Sequence, residues 1–130
     1  MYWLKRRINN IMVLTNLEML NFLSNLNSIS DKVTGKVAYF VARNIRKISS
    51  ELTEFNQIKD KNIYEKQLYD ITEESQEYQD FLLYINQFID IKHEVEISKI
   101  DAKELYNSNL TAKDILELGF MIIDEEIKED

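Results

Sequence analysis

The chain contains no cysteine and no proline, only two glycines (Gly35 and Gly119) and a single histidine, His93. Each scarcity excludes something. Without cysteine there are no disulfides and no thiolate metal sites, and the chain is compatible with a reducing cytosol. Proline and glycine punctuate chains that turn often. A chain with almost none of either favours long helices over a many-stranded sandwich or barrel. Two glycines also leave no room for a phosphate-binding loop or a dinucleotide fingerprint. One histidine cannot supply a zinc site, which wants three or four His or Cys ligands. It also leaves nucleophilic triads with little support, because His93 falls at a helix-to-strand junction where a structural or surface role is expected. A dimetal carboxylate bundle needs Glu-x-x-His pairs, which do not occur here. A non-enzymatic protein without a metal or cofactor is therefore expected.

At 130 residues with 45% apolar side chains, the chain suits one globular domain rather than a disordered segment. Its net charge is −7, but the charge is uneven. Residues 1–50 hold Lys5, Arg6, Arg7, Lys32, Lys36, Arg43, Arg46 and Lys47, opposed only by Glu18 and Asp31. The remainder is acidic. Two readings follow: the halves complement each other, or a basic face receives an anion. The acidic total disfavours duplex nucleic acid as a partner. No apolar run is long enough to span a membrane. Residues 1–11 are expected to be an extension, either a basic amphipathic anchor or a stretch preceding a start at Met12. Residues 12–126 form the domain, and 127–130 an acidic tail.

Thr15 and Glu18 form a capping box that opens a short helix through about residue 28, with Leu17, Leu20, Leu23 and Leu26 facing inward. A loop rich in Ser, Asp, Thr and Gly follows over residues 28–35. The spacing of Val37, Phe40, Val41, Ile45, Ile48, Leu52, Phe55 and Ile58 predicts a long helix from 36 to at least 59. A second long helix is predicted over 71–91 and pairs with the first as an antiparallel hairpin. Residues 93–100 then alternate, with Val95 and Ile97 on one face and Glu94 and Glu96 on the other, as a half-buried strand does. Such a strand needs a partner, either residues 11–14 or a second copy of the chain. Thr111 and Asp114 start an apolar last helix through Ile123. The predicted fold is mainly α, of the α+β class: a long antiparallel helical hairpin with a short first helix, a small two-stranded sheet and an apolar C-terminal helix.

The most distinctive stretch opens the first long helix. Lys36, Tyr39, Arg43 and either Arg46 or Lys47 recur at helical spacing and share one face, with Lys36 near the helix N-terminus, where anions are favoured. Arginine suits phosphate and a tyrosine ring can stack on a base. Asn44 is an unusual choice for a helix interior and is expected to hydrogen-bond a partner. Lys36, Tyr39, Arg43, Asn44 and Lys47 form the candidate ligand-binding face. The competing reading is a solvated basic face that pairs with the acidic half.

The order of these features resembles a loose group of small uncharacterised proteins encoded by phages and prophages of Gram-positive bacteria. The resemblance rests on Leu14-Thr-Asn-Leu17, on Lys36-Val-Ala-Tyr-Phe-Val-Ala-Arg-Asn44, on Glu94-Val-Glu-Ile97 and on the segment from Leu110 to Ile123. It spans residues 12–126. Relatives often carry a Gly- and Asp-rich insertion between the long helices, where this chain has only residues 62–70. The group offers no catalytic residues to carry over. The resemblance implies a phage accessory role in the host bacterial cytoplasm: an oligomeric binder that captures a host defence protein or sequesters a small anionic nucleotide signal. A virion assembly or structural protein, and a modulator of host transcription or replication, are the alternatives.

Overall fold

A computed structural model describes residues 10–123. The expected N-terminal extension (1–11, apart from its last two residues) and the acidic tail (127–130) lie outside the described residues. The chain is mainly α-helical with a small antiparallel sheet, so the predicted fold class holds. The order is β1 (Ile11–Thr15), α1 (Asn16–Ile29), α2 (Gly35–Glu51), α3 (Thr53–Lys66), α4 (Gln76–Asn86), β2 (Lys92–Glu96), β3 (Ile100–Asp101), α5 (Ala112–Glu117) and β4 (Ile122–Ile123). Short 3₁₀ turns at Ala102–Leu105 and Gly119–Met121 complete it.

The alternating strand finds its partner within the chain. β1 and β2 run antiparallel with Met12 opposite Val95 and Leu14 opposite His93. The side chains of Leu14, Val95 and Ile97 enter the core, while Val13 and Glu94 lie on the open face. The ladder extends beyond its strands: Ile97 N–H donates to the Asn10 carbonyl, and Asn16 N–H to the Ile91 carbonyl. Asn10 and Ile11, expected to lie in the extension, thus take part in the ladder.

The capping box at Thr15 is present in full, with Glu18 N–H on the Thr15 hydroxyl at 3.1 Å and Thr15 N–H on the Glu18 carboxylate at 2.9 Å. It fixes where β1 stops and α1 starts. The buried face of α1 is Asn16, Met19, Leu26 and Ile29, rotated from the predicted leucine stripe. Leu17 is correspondingly exposed. Gly35 sits at φ +61°, a left-handed conformation that glycine adopts without strain, and it turns the chain into α2.

The predicted helix from 36 to 59 is two helices. Leu52 stands between them, fully buried, with its N–H bonded to the Ile48 carbonyl. Periodicity carries across this joint because α3 resumes in nearly the same phase, so Phe55 remains buried. The second leg of the hairpin-like pair is shorter than the predicted 71–91. The Ser75 hydroxyl accepts from Tyr78 N–H at 3.1 Å and starts α4 at Gln76. Gln67, at φ 54°, closes α3, and Leu68 N–H returns to the Ile63 carbonyl at 3.0 Å, an end that glycine usually provides.

The last apolar segment is not one helix. Thr111 and Asp114 form a capping box, but α5 ends at Glu117, and Ile122–Ile123 then pairs in parallel with Ile100–Asp101. Leu118 and Met121 are fully buried, whereas Leu116 is exposed. Phe120 stacks on Phe22 of α1, with centroids 4.1 Å apart.

Two backbone positions test this account. Gln67→Gly is expected to raise the unfolding free energy by about 1 kcal/mol, and Gly35→Ala to lower it by about 1–2 kcal/mol, the cost of a left-handed L-residue. A Cβ at position 35 meets nothing within 4 Å, so the penalty there is conformational. Urea unfolding followed by circular dichroism reads both, and equal midpoints for the three proteins would refute the assignment.

Candidate functional site

All five sequence-predicted residues lie on α2, but they do not form one cluster. Asn44 is fully buried. Its Nδ2 donates to the Ser98 carbonyl at 2.9 Å, its Oδ1 accepts from Ser98 N–H at 2.8 Å, and Nδ2 also meets Met121 Sδ at 3.4 Å. Its amide is therefore consumed within the chain, which corrects its expected role as a contact to an external ligand. Ser98 is the second residue beyond β2, where the ladder to β1 has ended. The Asn44 side chain replaces the missing strand by offering one donor and one acceptor. An asparagine on the apolar stripe of a helix is the sequence signal for such an inward bond, since an unpaired buried amide is costly.

The other four stay toward the surface with different surroundings. Lys36 Nζ lies 3.6 Å from the Glu104 carboxylate and 5.8 Å from the centroid of the Phe40 ring. Lys47 Nζ lies 3.7 Å from Glu96 on β2. Between them Tyr39 is 60% exposed, packs edge-on against Phe40 at 5.8 Å, and has the Arg43 guanidinium 5.9 Å from its ring centroid. The centre of the face is thus an aromatic ledge with one arginine beside it. Its ends are lysines already facing carboxylates.

Those carboxylates belong to the acidic part of the chain. A third pair, Lys32 with Asp114 at 3.3 Å, has the same sense, and the Asp114 side chain is almost entirely buried. The uneven charge is therefore met in part by basic residues of the first half pairing with acidic residues of the second. Asp114 accepts from Thr111 N–H at 3.1 Å and from Lys32 at 3.3 Å. The Thr111 backbone bond foremost, then Lys32, holds its carboxyl below the ordinary aspartate range against the opposing effect of burial.

His93 is tied into the β1–α1 junction. Its Nε2 is 2.9 Å from Asn16 Oδ1, and Asn16 Nδ2 donates to the Phe88 carbonyl at 2.8 Å. Beside the start of α2 a cleft of about 230 Å³ is lined by Lys32, Thr34, Val37, Glu104 and Asn109 among others. Thr34 caps α2 without a side-chain hydrogen bond and no acidic residue occupies the first turn, so Glu104 is the anionic group nearest Lys36 in that wall. A second hollow of about 600 Å³, lined by Tyr64, Glu65, Gln67, Tyr69, Asp70 and Ile71, involves none of the predicted residues. Among the described residues no group of three or more His, Asp or Glu side chains is placed to hold a metal ion. No described helix is long and apolar enough to cross a membrane. No protein-family model, curated protein or solved structure matches the chain.

Two outcomes are expected. Asn44→Ala should lower stability by about 2–3 kcal/mol, because it leaves both backbone groups of Ser98 without their partner. Tyr39→Ala should change it by no more than about 0.5 kcal/mol, the usual scale for an exposed side chain. Chemical denaturation of both variants checks the contrast, and equal effects would contradict it. For Asp114, a folded pKa below the unfolded one gives stability that is complete above the unfolded value and lost as pH falls through the folded value. Asp114→Asn should therefore be less stable than the parent at neutral pH, with the gap closing as pH drops below about 4. Unfolding midpoints at stepped pH measure it, and a gap unchanged down to about pH 2 would count against it.

Proposed function

We propose that the chain is a phage-encoded, non-enzymatic binding protein that inhibits a host defence by capturing a host protein. The observation that supports this reading is the exposed Tyr39 on α2 with the partly exposed Arg43 beside its ring and Phe40 packed edge-on against it. Tyrosine and arginine dominate the energetic centres of protein interfaces because each offers a large rigid surface with a polar edge. A cation–aromatic contact orients both side chains before binding, so less side-chain entropy is lost on association. The phage origin rests on the sequence resemblance.

Capture of a nucleotide signal uses the same face, but less of it is free for that purpose. A phosphate ligand is best held by several cations. Lys36 and Lys47, the lysines flanking the ledge, face Glu104 and Glu96. A nucleotide would have to displace those carboxylates, whereas an interface needs only the ledge.

The test is infection of a defended bacterial host with and without the protein expressed. The parent protein is expected to raise phage plating on that host. A Tyr39→Ala/Arg43→Ala double variant should lose at least about tenfold of that gain, because loss of an interface centre costs about 2 kcal/mol or more. Circular dichroism should show it still folded. Full protection by the folded double variant would reject the face. Calorimetry against cyclic and linear nucleotides separates the two ligand classes: heat that Arg43→Ala abolishes would replace the protein partner with a nucleotide. Stoichiometric amounts of the protein in purified virions, by mass spectrometry, would favour a structural role instead.

A further inference from the structure

We infer that two copies of this chain pair through the edge of β1 that no other described strand covers, joining their two-stranded sheets into one four-stranded antiparallel sheet. The register of the β1–β2 ladder determines which backbone groups are available. Asn10 and Asn16 belong to the same hydrogen-bonded phase as Met12 and Leu14, as the bonds from Ile97 N–H to Asn10 and from Asn16 N–H to Ile91 show. Alternate residues of an antiparallel strand send their N–H and C=O to opposite sides. Ile11 and Val13 therefore aim theirs away from β2.

This edge lacks the features that usually prevent pairing. Soluble proteins blunt exposed edges with charge, proline or a bulge. The strand Ile-Met-Val-Leu-Thr has none of these. Ile11 is 45% and Val13 59% exposed, so β-branched side chains stand in solvent beside the open groups.

A second copy fits better than an arbitrary strand because the edge is self-complementary. With Ile11 opposite Val13 of the other copy, each of these residues both donates and accepts. Four backbone hydrogen bonds form about a twofold axis through Met12. This register also spares Thr15, whose N–H already serves the Glu18 carboxylate. Directly opposed residues project to one face, so Ile11 and Val13 of both copies cover one another. β1 carries no charge, and Glu94 and Glu96 sit on the outermost strands of the resulting sheet, about three strand spacings apart, roughly 14 Å. The like charges of the two copies are thus kept from direct contact.

Sedimentation velocity of the full chain across a concentration series up to about 100 µM should show a dimer. Val13→Pro removes an N–H that faces away from β2, a place where an edge strand accepts proline. It should yield a monomer with unchanged helical circular dichroism. Because the chain has no cysteine, Met12→Cys reports the register. Non-hydrogen-bonded pairs bring Cα atoms to about 4.5 Å, within disulfide range, so mild oxidation should give a covalent dimer with Met12→Cys and little with Val13→Cys. A parent protein that is monomeric throughout, or a dimer that a folded Val13→Pro leaves intact, would overturn the proposal. Cross-linking through Val13→Cys rather than Met12→Cys would overturn the register.

Discussion

The bond between Asn44 and Ser98 is the constraint on which the rest of this structure depends. A two-stranded sheet runs out of partners where it ends, and the chain leaving it still carries a donor and an acceptor at each residue. Here a side-chain amide from the middle of α2 supplies both complements. That bond sets the rotation of the helix. With Asn44 inward, Val41 one turn before and Ile48 one turn after are also inward, and both are fully buried. Tyr39 and Arg43 are then carried outward, and Lys36 and Lys47 are left within reach of Glu104 and Glu96. A fully satisfied buried polar contact of this kind restricts which packing is allowed, because any slip of the helix leaves polar groups unpaired.

The ion pairs have a lesser part. Lys36–Glu104 and Lys47–Glu96 are solvent-accessible, and pairs of that kind contribute at most about 1 kcal/mol and weaken with salt. Their effect is on the surface: they neutralise the ends of a basic stripe and leave its aromatic centre as the distinct feature. Lys32–Asp114 differs because Asp114 is buried and also caps α5. There the carboxylate joins the loop before α2 to the start of α5, so one residue serves a local helix end and a long-range contact.

Much of this was legible in the sequence. Both capping boxes are local, and a hydroxyl followed three residues later by an acid is enough to mark them. The alternation around Val95, with residues 11–14 as the candidate partner in the chain, led to the observed ladder. What misled was apolar periodicity across breaks. Leu52 separates two helices and Ser75 starts α4 five residues after Ile71, both without disturbing the stripe, since a stripe reports which residues are apolar and not whether the backbone between them is continuous. The segment after Glu117 misled for a related reason. Leu118, Met121 and Ile122 contact the core through a 3₁₀ turn and a two-residue strand, and nearly continuous apolar runs do not distinguish these from a buried helix. On α2, spacing placed Lys36, Tyr39, Arg43 and Lys47 on one face. It did not separate Asn44 from them, because that requires knowing that Ser98 lies opposite.

The cis pairing of β1 with β2 also changes the meaning of the strand pattern. Each strand has two edges, and satisfying the inner one leaves the outer edge of β1 as a row of open groups beside Ile11 and Val13. The core fixes the ladder register, since a slip of one residue would turn Leu14 and Val95 out to solvent. The open groups therefore stand at fixed, evenly spaced positions. α2 packs against β2 and is joined to it by Lys47 and Glu96, so the proposed twofold at β1 extends the sheet at the strand opposite that attachment. Two Tyr39 ledges would then be carried by one rigid sheet. For a face built from a single aromatic and a single arginine, that geometry matters, because linking two weak contacts raises the apparent affinity by orders of magnitude when both can engage together. The same neutral strand that completes the core would, on this reading, make a small binding surface sufficient.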